Sequence, residues 1–325
     1  MNDRLPTSEG VLSRARGCMM GQLAGDALGS LVEFQAPDQI RREYPNGVRE
    51  LADGGAWDTI AGQPTDDSEM ALLLARMLAD KGRYDSEQAR KAYLFWLDSG
   101  PFDCGKTVSG GLRGRPNPDS QANGAMMRVS PLGIFGANYD LEHVADWARQ
   151  DAAITHPHPV CQEANALFTM AISHSVRNGI EARALYEQVV TWAEEMQVDE
   201  SLLDTIQDAA ESPPIDFLYQ QGWVLKAFRN ALWQLVHSTN LEEAVVDTVM
   251  RGGDTDTNAA ICGALLGAVW GYDAIPDQWK ECVLNCRPSA SRPSVHRPRP
   301  KCFWPVYSLE LAERLVRPHC PDSKE

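Results

Sequence analysis

The sequence lacks any uninterrupted hydrophobic run of about 18 residues, the length that a membrane-spanning helix needs. Residues 1–13 are polar and lack the apolar core of a signal peptide. Basic side chains are scarce, because 30 Lys and Arg stand against 45 Asp and Glu, for a formal net charge of −15. This balance argues against nucleic acid and against an anionic membrane as partners. We therefore expect a cytoplasmic protein that binds neither.

β-Strand alternation is almost absent, and no Gly-x-Gly-x-x-Gly follows a strand, so a Rossmann nucleotide-binding module is not supported. Helical periodicity dominates instead. The 325 residues are 43% hydrophobic, which is enough for a large core. The eight cysteines are scattered and several lie in apolar runs, which is typical of buried free thiols in a reducing compartment. We predict an all-α protein.

The first acidic cluster is Thr65-Asp66-Asp67-Ser68-Glu69, directly before the apolar run from Met70 to Leu78. Apolar side chains at 70, 73, 74, 77 and 78 predict an amphipathic helix with Thr65 as its N-cap. Two carboxylates and a hydroxyl then lie in its first turn. Taken alone, this pattern also fits an ordinary helix with acids at its positive end.

The second acidic cluster, Gly252-Gly253-Asp254-Thr255-Asp256-Thr257, also precedes an apolar run. Together the clusters offer six hard oxygen ligands: Thr65, Asp66, Asp67, Asp254, Asp256 and Thr257. Neither contains His or Cys, so the preference is for Mg²⁺ or Mn²⁺ over zinc. Four carboxylates balance two divalent cations, which predicts a two-metal site. The two clusters are distant in sequence but need the same ions, which favours one domain over two. We place this domain at 14–325, after an extension at 1–13.

Glycines recur every fourth residue at 17, 21, 25 and 29. Each costs a helix roughly 1 kcal/mol relative to Ala, so the spacing implies close packing against another helix. The small-residue segment Ala259–Gly271 is the predicted partner. Asp26 and Glu33 are carboxylates flanked by apolar residues. Each is either a buried acid satisfied by backbone N–H groups or a residue that acts beside the metals.

Several other motifs leave two interpretations open. Asp103 is a helix cap or a site residue, and Asn123-Gly124 is a plain turn or a helix start whose N–H groups meet an anion. His156, in a Pro-stiffened loop, is structural or functional. The basic, Pro-rich segment 287–301 is a solvated or docked connection, or it steers a phosphorylated substrate.

Periodicity predicts the following helices: 68–80, 86–97, 140–153, 160–176, 180–197, 217–237, 241–250, 259–270, 277–284 and 309–316. Segments 35–64 and 198–216 lack such periodicity and are predicted to be loops.

With these motifs the chain resembles the ADP-ribosylglycohydrolase (ADP-ribosyl-acceptor hydrolase) family, closest to the branch of dinitrogenase reductase-activating glycohydrolases. The resemblance runs from about Arg14 to Leu315. Its motifs are Gly21 to Gly29, Thr65 to Met70, Asn123 to Arg128, Ile154 to Pro159 and Gly252 to Thr257. The paired acidic blocks are highly specific together, and the other blocks are supporting.

The resemblance implies a single-domain orthogonal helical bundle with a binuclear cleft, where the six oxygen ligands above hold two Mg²⁺ or Mn²⁺ ions. It also implies that further residues line the ADP-ribose site: Glu33, Asp103, Gly105, Asn123, Gly124, Ala125, Met126 and His156. Two positions depart from close relatives. Lys106 replaces an Asn, and Trp223, which the resemblance also implies to bind the substrate, replaces a Tyr.

The implied activity is metal-dependent removal of ADP-ribose from modified protein side chains, most of all ADP-ribosyl-arginine. The catalytic residues would be Asp66, Asp67, Asp103 and Asp256. One alternative keeps the fold and hydrolyses ADP-ribosyl-serine or O-acetyl-ADP-ribose. Another is an immunity-type protein that binds and blocks an ADP-ribosyltransferase through residues 1–13, while also reversing its modification.

Overall fold

Helices form the regular structure of the chain in the computed structural model, which describes residues 8–317. Within that range there are fifteen α-helices, two isolated β-bridges and no β-sheet. The helices are α1 (Glu9–Gly29), α2 (Pro37–Glu43), α3 (Asp66–Lys81), α4 (Ser86–Asp98), α5 (Lys106–Leu112), α6 (Ser130–Gly136), α7 (Leu141–Ala153), α8 (Pro159–Asn178), α9 (Ala182–Glu195), α10 (Glu200–Asp208), α11 (Val224–His237), α12 (Leu241–Met250), α13 (Thr255–Trp270), α14 (Asp277–Asn285) and α15 (Ser308–Val316). The predicted all-α bundle is confirmed.

Helices α1 and α13 form the centre of the bundle and run antiparallel in backbone contact. A Cβ on Gly21 would overlap the carbonyl oxygen of Gly263, and one on Gly17 would overlap that of Gly267. At the other end of the pair, the Thr255 hydroxyl donates to the carbonyl of Gly29 at 2.7 Å. The predicted packing of the glycine face on the small-residue helix is confirmed, and it brings the end of α1 to the start of α13.

Asp26 of α1 also fixes the start of α3. Its carboxylate accepts hydrogen bonds from the backbone N–H of Thr65 at 3.1 Å and of Ser68 at 3.1 Å. The Thr65 hydroxyl donates to Asp26 Oδ1 at 2.8 Å instead of capping its own helix. The prediction of Thr65 as the N-cap position is right, but the capping oxygen comes from Asp26. Of the two roles predicted for Asp26, the structure therefore shows that of a buried acid bonded to backbone N–H groups.

Two helices lie where loops were predicted. Helix α2 begins with Pro37 at its first turn, and α10 begins after Asp199, whose side chain accepts from the N–H of Ser201 at 2.9 Å. Leu202 and Ile206 bury one face of α10 four residues apart. Both helices are shorter than three turns, so their apolar periodicity is too brief to stand out from a polar segment.

The ends of the chain lie partly outside the described residues. Helix α1 begins at Glu9 with Ser8 as its cap, so residues 9–13 of the predicted extension are helical, while 1–7 are outside the described range. All seven cysteines of the described range are free, and Cys320 lies outside it. None of the helices in residues 8–317 combines the length and apolarity that crossing a bilayer requires.

Candidate active site

The two acidic helix starts meet at the end of the α1–α13 pair. The Thr257 hydroxyl of α13 lies 3.5 Å from Asp67 Oδ2 of α3, although 190 residues separate them. The Thr65 hydroxyl is 3.2 Å from the same oxygen. Burial and the charges of Asp26 and Asp254 raise the pKa of the Asp67 carboxyl, and burial and the charges of Glu33 and Asp67 raise the pKa of Asp256. The six residues predicted as ligands therefore form one cluster.

Two loop carboxylates complete this cluster. Glu33 follows α1 and Asp103 precedes α5, and one oxygen of each lies within 4.8 Å of the other and of an oxygen of Asp256. Asp103 also shares a side-chain hydrogen bond with Asp66. The acids of the two helix starts and of two loops thus surround one small volume.

The cluster carries more negative charge than its surroundings balance. Burial, followed by the charges of neighbouring carboxylates, raises the pKa of Asp66, Asp67 and Asp256 well above the ordinary range. Burial, with Asp103 and Asp254 nearby, raises the pKa of Glu33 to about 8. Divalent cations would supply the missing positive charge.

The donor set fits such ions. Asp67 Oδ1 is fully buried and has no hydrogen-bond partner among the described residues, so it is an orphaned ligand atom of the kind a cation satisfies. The surrounding donors are carboxylate and hydroxyl oxygens, which suit Mg²⁺ or Mn²⁺. Thr65 and Asp67 form the floor beneath the cleft, at 0% and 1% exposure, whereas Asp66, Asp254, Asp256 and Thr257 line the cleft itself.

The cleft continues away from the acids as a cavity of about 600 Å³. Six of the residues predicted for the ADP-ribose site line this cavity: Glu33, Asp103, Gly105, Asn123, Gly124 and His156. The Asn123 amide donates to Asp254 Oδ2 at 2.7 Å, which joins this half of the cleft to the acids. Lys106, one of the two departures from close relatives, also faces the cavity.

His156 is a neutral hydrogen-bond donor in the cavity wall. Burial and the charge of Arg128 lower its pKa to about 3. Arg128 donates to the Thr155 hydroxyl at 2.9 Å, so that hydroxyl is free to donate its own proton to His156 Nδ1 at 2.7 Å. This assigns the N–H to Nε2, which is buried and has no partner among the described residues. A ligand oxygen would satisfy it.

Three predicted substrate residues do not line this cavity. Ala125 and Met126 are fully buried, because the 3₁₀ turn at Met126–Arg128 directs Met127 to the cavity instead. Trp223 donates to Gln121 Oε1 at 2.8 Å and lines a neighbouring cavity of about 460 Å³. Ala122, Gln221 and Gly222 border both cavities.

Arg128 supports the cleft wall from behind. It is fully buried, donates to Asp151 Oδ1 at 3.1 Å and to the carbonyl of Gly124 at 3.2 Å, and its guanidinium lies 4.4 Å from the Tyr93 ring centroid. These bonds fix the turn that carries Asn123 and Gly124. The sequence motif contains Arg128, but nothing local shows that its charge is buried.

Arg299 supports the loop that leads to Asp103, and sequence reasoning missed it. Its guanidinium makes bonds of 2.7 and 2.8 Å to the buried Glu69 carboxylate in the first turn of α3. It also donates to the carbonyls of Ser99 and Gly100 at 3.3 and 3.2 Å. The basic segment 287–301 is therefore a docked connection at this residue.

Comparisons with known proteins identify a family. A sequence model of the ADP-ribosylglycohydrolase family matches residues 7–318. The chain is 32% identical to an ADP-ribosyl-[dinitrogen reductase] glycohydrolase of Rhodospirillum rubrum, over 84% of this chain and 91% of that one. It is 27% identical to an ADP-ribosylarginine hydrolase of Pseudomonas putida, over 85% and 76% of the two chains. The solved structure of an ADP-ribosylglycohydrolase-related protein complex shares the fold, with a TM-score of 0.79 at 24% identity over 96% of this chain and 99% of that one. The chain belongs to the ADP-ribosylglycohydrolase family.

Proposed function

We propose that this protein is a metal-dependent hydrolase that releases ADP-ribose from modified arginine side chains. Its family supports a hydrolase that acts on ADP-ribosylated substrates. The observation that carries the rest is the meeting of the two acidic helix starts around Asp67, whose buried Oδ1 has no partner among the described residues. We assign the six oxygen ligands to two ions, Mg²⁺ or Mn²⁺: Thr65, Asp66, Asp67, Asp254, Asp256 and Thr257.

Bound metals at such a site would polarise the ribose hydroxyls and make a bound water more acidic. In the hydrolysis, a water oxygen bonds to the anomeric carbon and the carbon–nitrogen bond to the guanidine breaks. The leaving guanidine then needs a proton, and the water must lose one. Asp103 is suited to both transfers, because it faces the cleft and already shares a hydrogen bond with Asp66.

The remaining polar groups of the cavity suit the rest of ADP-ribose. His156 offers a neutral Nε2–H to a phosphate or hydroxyl oxygen. Arg128 stabilises that tautomer because it donates to the Thr155 oxygen, which leaves the Thr155 proton to bond His156 Nδ1. Gly124 leaves room beside the imidazole, since a Cβ there would lie 3.2 Å from His156 Cε1. These residues orient the substrate so that its anomeric carbon lies near the acids.

The choice of arginine has two supports. The Pseudomonas putida relative is named an ADP-ribosylarginine hydrolase. In addition, a carboxylate-rich cleft end favours a substrate whose modified side chain is a guanidinium cation over one whose modified group is neutral. ADP-ribosyl-serine and O-acetyl-ADP-ribose carry no such cation.

The test is release of free ADP-ribose from an ADP-ribosyl-arginine peptide with Mg²⁺, with Mn²⁺ and after EDTA treatment followed by dialysis. We expect turnover with either metal and none after chelation. Turnover that survives chelation would contradict the metal dependence. Turnover of an ADP-ribosyl-serine peptide or O-acetyl-ADP-ribose, but not of the arginine peptide, would contradict the substrate assignment.

A further inference from the structure

Three aromatic rings border the acidic end of the cleft, and we refer to Phe34, Trp57 and Phe102 as the rim aromatics. The Phe34 and Trp57 ring centroids lie 6.4 Å apart in an edge-to-face arrangement, and Trp57 and Phe102 lie 5.9 Å apart. The rings come from three loops that are distant in sequence. They form one continuous apolar surface.

This surface is attached to two of the cluster carboxylates. Phe34 directly follows Glu33, and Phe102 directly precedes Asp103. The Trp57 indole donates its N–H to Glu33 Oε2 at 2.6 Å. A substrate atom held between Glu33 and Asp103 therefore has the rim aromatics beside it.

Phe34 is energetically unfavourable at its position in the fold. Its side chain is 56% exposed, and its backbone adopts φ +67°, a left-handed conformation that is unfavourable for a residue with a bulky side chain. Its N–H donates to the carbonyl of Gly253, the residue before Asp254, at 2.8 Å. The ring lines the cavity and is not part of the buried core. Because the ring contacts Trp57 but does not pack against the buried core, ligand contact is its most direct role.

The lining of the cleft indicates which part of a substrate reaches the rim aromatics. The acids, Gly105, His156 and Phe34 all line the cavity, which shares Gly222 with the second cavity. We place the anomeric carbon at the acids and the ADP moiety along His156 and the border with the second cavity. The leaving group then lies between Glu33 and Asp103, beside Phe34.

We propose that Phe34, supported by Trp57 and Phe102, receives the guanidinium of the modified arginine and makes the enzyme selective for it; this inference rests on the proposed function. A guanidinium is planar and cationic, and it stacks on aromatic faces. The carboxylates Glu33 and Asp103 next to the rings add attraction for the cation. A serine or acetyl leaving group offers neither charge nor a matching plane.

The test compares wild type with Phe34→Leu, Phe34→Tyr and Phe95→Leu. Phe95 is a matched control, because it is 54% exposed but packs on Phe303 rather than on the rim aromatics. Two quantities are measured: kcat/KM for an ADP-ribosyl-arginine peptide, and the inhibition constant of free ADP-ribose. ADP-ribose has no acceptor group, so its inhibition constant reports only the part of the cleft that binds ADP-ribose.

We expect Phe34→Leu to lower kcat/KM about tenfold, the size of a cation–aromatic contact, while the ADP-ribose inhibition constant stays unchanged. Phe34→Tyr should retain most of the wild-type kcat/KM, and Phe95→Leu should change neither quantity. An unchanged kcat/KM in Phe34→Leu would overturn the inference but leave the proposed function intact. An equal loss in kcat/KM and ADP-ribose binding would also overturn it, since that pattern indicates general damage. A wild-type enzyme inactive on the arginine peptide would overturn the proposed function and this inference with it.

Discussion

The helix-borne and loop-borne halves of the site are held in place by different means. The helix-borne acids, Asp66, Asp67, Asp254 and Asp256, stand at or beside the starts of α3 and α13. Those starts are set by main-chain packing on α1 and by one buried carboxylate, Asp26. The loop-borne acids, Glu33 and Asp103, depend on side-chain contacts instead.

Those side chains come from far along the chain. Trp57 holds Glu33 by one hydrogen bond, and Arg299 holds the loop before Asp103 by bonds to Ser99 and Gly100. Packing of backbone on backbone leaves little room for adjustment. Side-chain contacts can be changed singly, so the loop-borne half is where we expect substrate selectivity to vary. Single substitutions in each half distinguish these two kinds of support.

Gly21→Ala should damage the helix-borne half most. The added Cβ would overlap the carbonyl of Gly263, so α1 and α13 must separate, and we expect a loss of about 4 kcal/mol in the free energy of unfolding. Gly10→Ala, in the same helix, meets only the flexible end of Arg14 and should be neutral or stabilising by up to about 1 kcal/mol. Urea unfolding of both variants tests this. Equal stabilities would contradict the packing argument.

Arg299→Met should be the most damaging change on the loop-borne side. It leaves the Glu69 carboxylate buried without its cation, which costs about 3 kcal/mol of stability. Arg41→Ala removes the exposed pair with Asp38 and should cost less than about 1 kcal/mol. Thermal unfolding of the two variants gives the comparison. Our interpretation is wrong if Arg299→Met is no less stable than Arg41→Ala.

The free energy of unfolding of the metal-free protein should depend on pH, because the cluster holds several carboxylates close together. The pKa of Glu33 is raised to about 8 in the fold, so between its ordinary value and 8 the folded state binds more protons than the unfolded state. Stability therefore falls as the pH rises through this window. We expect a loss of about 2 kcal/mol between about pH 6.5 and pH 8.5.

The opposing contribution of His156 is small in that range. Its folded pKa of about 3 makes it neutral throughout, and the unfolded imidazole is mostly neutral above its ordinary pKa. Urea unfolding at the two pH values measures the loss, and saturating Mg²⁺ should abolish most of it. If the stability of the metal-free protein stays constant or rises with pH, the carboxylates of the cluster do not repel one another as described.

Trp57→Phe should have the smallest effect. The substitution keeps an aromatic ring at the rim but removes the N–H that bonds Glu33 Oε2. We expect kcat/KM for the arginine peptide to fall about fivefold, the value of one such hydrogen bond, and the free energy of unfolding to fall by about 1 kcal/mol. A rate equal to wild type would show that Glu33 does not need this contact.

The two halves also differ in how well the sequence predicts them. The helix-borne half follows from local patterns, because the glycine spacing of α1 and the acids before two apolar runs each lie within a few turns of helix. The loop-borne half gives no such signal: the bond between Arg299 and Glu69 joins residues 230 apart, and nothing periodic connects them. Phe34 was missed for the same reason, since its importance lies in its backbone angle and its neighbours.

The proposed function requires that the two helix starts hold the same cations. The direct test is Mn²⁺ titration, followed by the electron paramagnetic resonance signal of the free ion, for wild type, Asp66→Asn and Asp256→Asn. We predict that wild type binds Mn²⁺ and that each substitution, one in each cluster, weakens binding at least about tenfold. Wild-type affinity in either variant would show that the clusters do not share their metals.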